Sequence, residues 1–302
     1  MRDRSAAGAC VTVGEAVRAA ERALEAAGVS EPRREAAELY AALVRGAASA
    51  AWVQRERPLA PEGAAFLARS VARRAVGAPQ PYATGRANFR GHWLGVDERV
   101  LIPRPETEGL VELVLAWARD RGAARRGLAE PLVAADVGTG SGAIAVSLAL
   151  EGPFAAVWAL DRSDAALEVA RANVAALGLE RRVRCLRADL LAPLAGRSLD
   201  TVVSNPPYVA SGELAGLEPS VARHEPCEAL DGGPDGLGPT RRLASEARGT
   251  LRPGGLLALE ADARRAGATA AVVREAGFAG VAVRDDLFGR RRYVTALQTG
   301  VR

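Results

Sequence analysis

No lysine occurs in the 302 residues; the 40 basic side chains are arginines. Arginine and alanine run through the whole chain, which reads as a compositional bias, although arginine is not physically equivalent to lysine. Only two histidines are present, His92 and His224. That argues against a histidine-rich metal site and against a Ser-His-Asp arrangement. The three cysteines, Cys10, Cys185 and Cys227, are far apart, odd in number and never spaced Cys-x-x-Cys. A disulfide framework or zinc site does not fit them, and a reducing cytoplasm does. No apolar run reaches the length of a membrane span, and the N-terminal MRDRSAAGAC does not read as a signal peptide. The net charge of +4, with a pI near 9.4, permits a nucleic-acid or ribosome-associated partner without demanding one. The arginines are interleaved with alanine and glutamate, a pattern of solvated helix faces.

What remains is ordinary globular composition, 49% hydrophobic and 25% charged, in a chain long enough for one large domain with a small one beside it. Residues 12–28 predict a helix with a Thr12–Glu15 capping box and a Gly28 stop. Residues 31–46 and 61–77 predict two more, making a small N-terminal helical bundle. The segment GAPQPYATG, 77–85, is expected to be a linker. A hairpin is expected over 87–101, turning near Gly91, and then a helix opened by Pro105 with Glu106 and Glu108 in its first turn. From residue 131 strands and helices alternate, the pattern of a doubly wound, mostly parallel sheet. The last run, RRRYVTAL, follows VAVRDD with no helix between, so it is expected as an antiparallel strand at the end of the sheet.

The turn DVGTGSG, 136–142, leaves the first of these strands and opens a helix. Gly138, Gly140 and Gly142 let the backbone approach a ligand, and the helix start offers free N–H groups. Asp161 ends the next strand, where a carboxylate would hold ribose hydroxyls. A nucleoside-bearing cofactor follows. The same spacing, with Ala143, also fits a dinucleotide fingerprint. Asp136 ahead of the glycines favours a cationic cofactor such as S-adenosyl-L-methionine.

The segment SNPPYV, 204–209, ends another apolar strand. Asn205 and Pro206 each precede a proline, which restricts both backbones. Two prolines remove two donors and keep both carbonyls as acceptors. The result is a rigid shelf at the carboxyl edge of the sheet. Asn205 Oδ1 and the Pro206 carbonyl would accept both hydrogens of a planar –NH2 group, with Tyr208 stacked on its plane. Catalysis is then mostly orientation, carried by Asn205, Pro206 and Tyr208.

LIPRPETE (101–108), DVGTGSGAIAVSLA (136–149), SNPPYV (204–209) and EPCEALDGGPDG (225–236) together resemble the release-factor glutamine methyltransferases, the PrmC/HemK family. The resemblance implies a class I, Rossmann-like methyltransferase with a seven-stranded sheet. It implies residues 1–85 as a helical release-factor-docking domain with its linker, and residues 86–302 as the methyltransferase domain, starting with the hairpin. It implies methyl transfer from S-adenosyl-L-methionine, leaving S-adenosyl-L-homocysteine, to the side-chain amide nitrogen of the Gly-Gly-Gln glutamine in class-1 peptide release factors. By motif matching, Gly138, Thr139, Gly140, Ser141, Gly142, Asp161, Asp189, Leu190 and Asn205 would bind the cofactor. Asn205, Pro206, Pro207 and Tyr208, with Arg104, Glu106 and Glu225, would meet the substrate. Leu190 stands where the family often has an aromatic, and LEADARRAG replaces a usual Glu-Ile-Gly. FRG, 89–91, replaces a more usual Phe-aromatic-Gly. The expected protein is a cytoplasmic monomer needing no metal, membrane or direct nucleic-acid partner.

Two other readings share the motifs. A nucleic-acid amino methyltransferase would need a base-flipping pocket and a phosphate-binding surface, and no separate target-recognition segment is evident. A cofactor-binding adaptor without catalysis would not need GTGSG and NPPY both intact.

Overall fold

The computed structural model describes residues 11–124 and 131–300; Cys10 and the N-terminal segment considered above lie outside them. The chain divides into two compact units, Met1–Asn88 and Phe89–Arg302.

In the first unit, α1 (Val13–Ala26) begins on a complete capping box. Glu15 N donates to Thr12 Oγ1 at 3.3 Å, and Thr12 N donates to Glu15 Oε2 at 2.8 Å. Such a cap stabilises a helix by about 1 kcal/mol. Helices α2 (Pro32–Val44), α3 (Ala50–Val53) and α4 (Pro61–Ala75) follow. Leu24, Leu39, Tyr40 and Leu67 pack together as their core. The segment expected as a linker contains a short helix, α5 (Gln80–Thr84), closed by Gly85 in the left-handed region. Tyr82 there is fully buried, and the Thr84 hydroxyl sits 3.1 Å from the Gln80 carbonyl. A buried aromatic holds this stretch down despite its prolines.

A hairpin of β1 (Arg86–Phe89) and β2 (His92–Gly95) comes next, turning through Arg90 and Gly91, both at positive φ. It is shorter than the predicted 87–101. Arg90, in the place of an aromatic, is held by charge: its guanidinium lies 2.6 Å from Glu151 and 2.9 Å from Glu112.

The second unit holds α6 (Pro105–Ala124), β3 (Leu132–Val137), α7 (Ala143–Glu151), β4 (Phe154–Asp161), α8 (Asp164–Ala176), β5 (Val183–Arg187) and β6 (Leu199–Ser204). Then come α9 (Pro219–His224), α10 (Gly238–Thr250), β7 (Leu251–Glu260), α11 (Ala266–Glu275), β8 (Ala279–Asp285) and β9 (Arg291–Leu297). The seven-stranded sheet has the order β5-β4-β3-β6-β7-β9-β8. β9 is antiparallel to both its neighbours, while the other pairs are parallel. The expected antiparallel strand is therefore present, but not at the sheet's end. β9 buries Tyr293 to Ala296 consecutively, so both of its faces are covered; it lies between β7 and the half-exposed β8, which takes the edge. Residues of α6, α7 and α8 pack on one face of the sheet, and residues of α10 and α11 on the other. The winding reverses between β3 and β6. In open α/β sheets that is where a cleft forms outside the carboxyl ends of the strands.

Candidate active site

At the end of β3 the glycine turn folds back onto β4. Gly138 N and Thr139 N both donate to the Leu160 carbonyl at 2.8 Å, and Gly140 N donates to Asp161 Oδ2 at 2.9 Å. Asp161 Oδ1 accepts from Ser163 N at 2.9 Å. Gly138, Gly140 and Gly142 all have positive φ, where a side chain is strained. A Cβ built at Gly138 or Gly140 would meet no atom within 4 Å, so the turn presents bare backbone to open space. A cleft beside it is lined by Gly138, Gly140, Asp161, Asp189, Leu190 and Asn205, among others. Thr139 and Ser141 are buried instead, and a Cβ on Gly142 would pack against Ala170, 3.5 Å away. Within 138–142, two glycines thus face the cleft and the other three residues build the turn.

Asp136 is fully buried and does not line the cleft. Its Oδ2 accepts from Thr139 Oγ1 at 2.6 Å and from Ala145 N at 3.1 Å, while Oδ1 has no hydrogen-bond partner among the described residues. Burial pushes its carboxyl up to about 7 against those two hydrogen bonds. Asp136 braces the turn from behind. On the far wall Asp189 pairs with Arg242 at 2.7 Å. Leu190 is held at positive φ, uncommon for a branched side chain, and its side chain packs on the apolar core below.

The proline shelf begins one residue beyond the β6–β7 ladder, where Ser204 is paired with Leu259. Ser204 Oγ donates to the Val137 carbonyl at 2.6 Å, tying this strand end to the glycine turn. Asn205 Nδ2 donates to Thr107 Oγ1 at 3.2 Å, and Thr107 Oγ1 donates to Glu260 Oε2 at 2.7 Å. Among the described residues, neither Asn205 Oδ1 nor the Pro206 carbonyl accepts a hydrogen bond. Pro207 also lines the cleft, and Pro206 is buried beneath it. Burial pushes the Tyr208 hydroxyl up to about 12, so it stays neutral.

The segment EPCEALDGGPDG locks this shelf. Val209 N donates to the Leu230 carbonyl at 3.0 Å, and Gly232 N to the Val209 carbonyl at 2.8 Å. A Cβ on Gly232 would come within 2.8 Å of the Pro207 carbonyl oxygen, and one on Gly236 would overlap the Tyr208 carbonyl oxygen. These glycines are needed because two backbones touch there. Glu225, at the start of the segment, is buried and places both carboxylate oxygens 2.6 Å from one nitrogen of Arg104. The PRPETE and EPCEAL segments therefore meet through an ion pair, and Pro226, Glu228 and Ala229 of the second segment line the cleft. Glu106 points elsewhere: it pairs with Arg290 at 3.1 Å, and its carbonyl accepts from the Tyr293 hydroxyl at 2.5 Å.

Two family models match: the PrmC N-terminal domain over residues 15–85 and the methyltransferase small domain over residues 128–218. A release factor glutamine methyltransferase of Moorella thermoacetica is 44% identical over 283 residues, covering 93% of this chain and 97% of the relative. The chain belongs to the release factor glutamine methyltransferases. Another member, from Cereibacter sphaeroides, is 41% identical over 93% of this chain and 97% of its own length. The sheet also resembles that of the hMettl16 catalytic domain, solved in complex with the MAT2A 3'UTR hairpin 6. The TM-score is 0.53 with 16% identity, over 80% of this chain and 83% of that one, a likeness of fold alone.

Against the family's motifs, the residues that sequence reading missed are Thr107 and Glu260. A signal for each was present. Glu260 is a lone acid closing the apolar run LLALE, and Thr107 is the hydroxyl between the two glutamates of PRPETE. Nothing in the sequence linked them across 153 positions. Among the described residues no cluster of His, Cys, Asp and Glu is placed to hold a metal ion, and no helix is long and apolar enough to cross a membrane.

Proposed function

We propose that this chain methylates the side-chain amide nitrogen of the Gly-Gly-Gln glutamine in class-1 peptide release factors. S-adenosyl-L-methionine would supply an electrophilic methyl group and leave as S-adenosyl-L-homocysteine. The residues present fit that cofactor: bare backbone at Gly138 and Gly140 lets it approach closely, Asp161 lies where ribose hydroxyls would be held, and Leu190 and Asp189 flank the adenine position. The single observation that carries the reading is the amide shelf, where Asn205 is held by Nδ2 beside that cleft with Oδ1 unpaired.

Asn205 Oδ1 and the Pro206 carbonyl accept the two N–H hydrogens of the glutamine amide. Held that way, the amide is confined to its plane, and its nitrogen faces the cleft. Tyr208, neutral and half-buried, stacks on that plane. No strong base is required before transfer: as the N–C bond forms, the amide proton passes to solvent water, then or just after. Arg104 and Glu225 hold the shelf's two flanking segments together. The N-terminal helical unit docks the release factor, and the protein works in the cytoplasm.

The test is labelling with methyl-tritiated cofactor of a class-1 release factor and of its Gln→Ala variant in the Gly-Gly-Gln motif. Label confined to the wild-type factor supports the reading. Equal labelling of both factors, or labelling of RNA or DNA instead, overturns it.

A further inference from the structure

We propose that Thr107 and Glu260 are positioning residues that decide which end of the Asn205 amide faces the substrate. The proposal rests on the amide-methylating reading above and deepens it. An asparagine side chain presents an acceptor at one end and two donors at the other, in nearly the same shape. For a substrate –NH2 group only the acceptor is useful. Flipped, Asn205 would set donor against donor, and the shelf would repel what it must hold.

Thr107 Oγ1 lies 3.2 Å from Asn205 Nδ2 and 2.7 Å from Glu260 Oε2. A threonine hydroxyl has one hydrogen to give, and an ionised carboxylate only accepts. The hydroxyl hydrogen is therefore committed to Glu260. Toward Asn205 the same oxygen can only accept, so it takes the Nδ2 end and turns Oδ1 outward. The three groups form a one-way chain of donors: Asn205 to Thr107 to Glu260. Thr107 and Glu260 are 5% and 1% exposed, which keeps water from satisfying either group in the other sense.

The chain keeps its direction only while Glu260 is charged. Protonated, Glu260 becomes a donor to Thr107, and the freed hydroxyl hydrogen accommodates either orientation of Asn205. Burial pushes the Glu260 carboxyl up to about 7, so the change falls near neutrality. The groups facing it come from each neighbouring element. Arg292 of β9 has Nη1 4.0 Å from Oε1, and Tyr293 is its partner in the β7–β9 ladder. Arg104 and Glu106 act on it from the start of α6. It acts in turn on Tyr208 of the proline shelf and on Tyr293. Beyond them, Asp286 holds Arg292 at 3.2 Å, and Asp262 follows β7. Both tyrosines are pushed up to about 12 and stay neutral. Asp286 is held down to about 2 and Asp262 is lowered by Arg264, so both stay charged.

The test compares wild type with Thr107→Ser, Thr107→Val and Glu260→Gln. It reads kcat for release-factor labelling between about pH 6 and 8, cofactor Kd by calorimetry, and folding by melting. Wild-type kcat is expected to fall as the pH drops through neutrality. Thr107→Ser keeps the hydroxyl and stays within about twofold of wild type with the same profile, whereas Thr107→Val loses about tenfold or more in kcat. Glu260→Gln loses a similar factor and flattens the pH profile, because a carboxamide imposes no direction. Cofactor Kd stays within about twofold throughout. The proposal is overturned if Glu260→Gln keeps both the wild-type rate and its pH slope, or if folded Thr107→Val matches Thr107→Ser. A wild type that labels no release factor overturns the proposed function instead, and this inference with it.

Discussion

Two strands of the second unit, β3 and β7, carry a buried acid paired with a threonine at or one residue before their carboxyl ends, and the two acids do different work. Asp136 accepts from Thr139, three residues on, and from the Ala145 backbone. It braces a turn whose contact surface is bare backbone. Glu260 accepts from Thr107, 153 positions away, and through it fixes a side chain. Burial raises both carboxyls to about 7, so similar electrostatics serve a backbone device in one place and a side-chain device in the other. The cofactor half of the cleft should therefore be sensitive to added atoms, and the amide half to altered polarity. Each should fail in its own readout.

The largest effect is expected at Asn205. Asn205→Ala removes the oriented acceptor and should lower kcat by about a hundredfold or more, while cofactor Kd changes by no more than about threefold. Kinetics beside calorimetry on the same preparation would check it. Losses of equal size in both quantities would mean that the two halves are not separable.

Gly236→Ala is expected next. Its Cβ would overlap the Tyr208 carbonyl at a positive φ, costing about 2–4 kcal/mol of stability, seen as an earlier denaturant midpoint together with reduced kcat. Gly140→Ala offers the contrast. Its Cβ meets nothing within 4 Å, so only the backbone strain of about 1–2 kcal/mol reaches stability. The methyl group projects into the cleft and should weaken cofactor binding by about tenfold. If Gly140→Ala binds cofactor as tightly as wild type, the glycine turn is not the contact surface.

These contrasts follow how the molecule could be read from its residues. The glycine turn and its acid are local, with every partner of Asp136 within nine positions, so the motif and its surroundings could be inferred together. The proline shelf was equally legible as a rigid object. Its supports were not, because Thr107, Glu260 and the loop through Gly232 and Gly236 arrive from distant segments, and periodicity carries no information about such meetings. The same limit explains β9, whose antiparallel sense followed from the short connection while its place between β7 and β8 was set by pairing with distant segments. It also explains α5, a short helix with Tyr82 buried inside a segment that Pro79 and Gly85 marked only as a break between elements.

The smallest expected effect separates the two acids by pH. In the folded chain Asp136 keeps its proton up to about pH 7, whereas an unfolded aspartate releases it at about pH 4. Between those values the folded state binds more protons, so the contribution to stability is complete below the unfolded value and is lost as pH rises through the folded one. The slope is at most about 1.4 kcal/mol per pH unit for one group. Asp136→Asn lacks that titration, so wild type should lose about 1 kcal/mol relative to the variant between about pH 5 and 6, measured by urea unfolding. Glu260→Gln should remove a slope of the same sign. Only the Glu260 variant should also flatten the pH dependence of kcat, because only that acid sets the direction of a group touching the substrate. If Asp136→Asn flattened the kcat profile as well, the bracing of the glycine turn and the orientation of Asn205 would be one coupled device, joined through the Ser204–Val137 hydrogen bond.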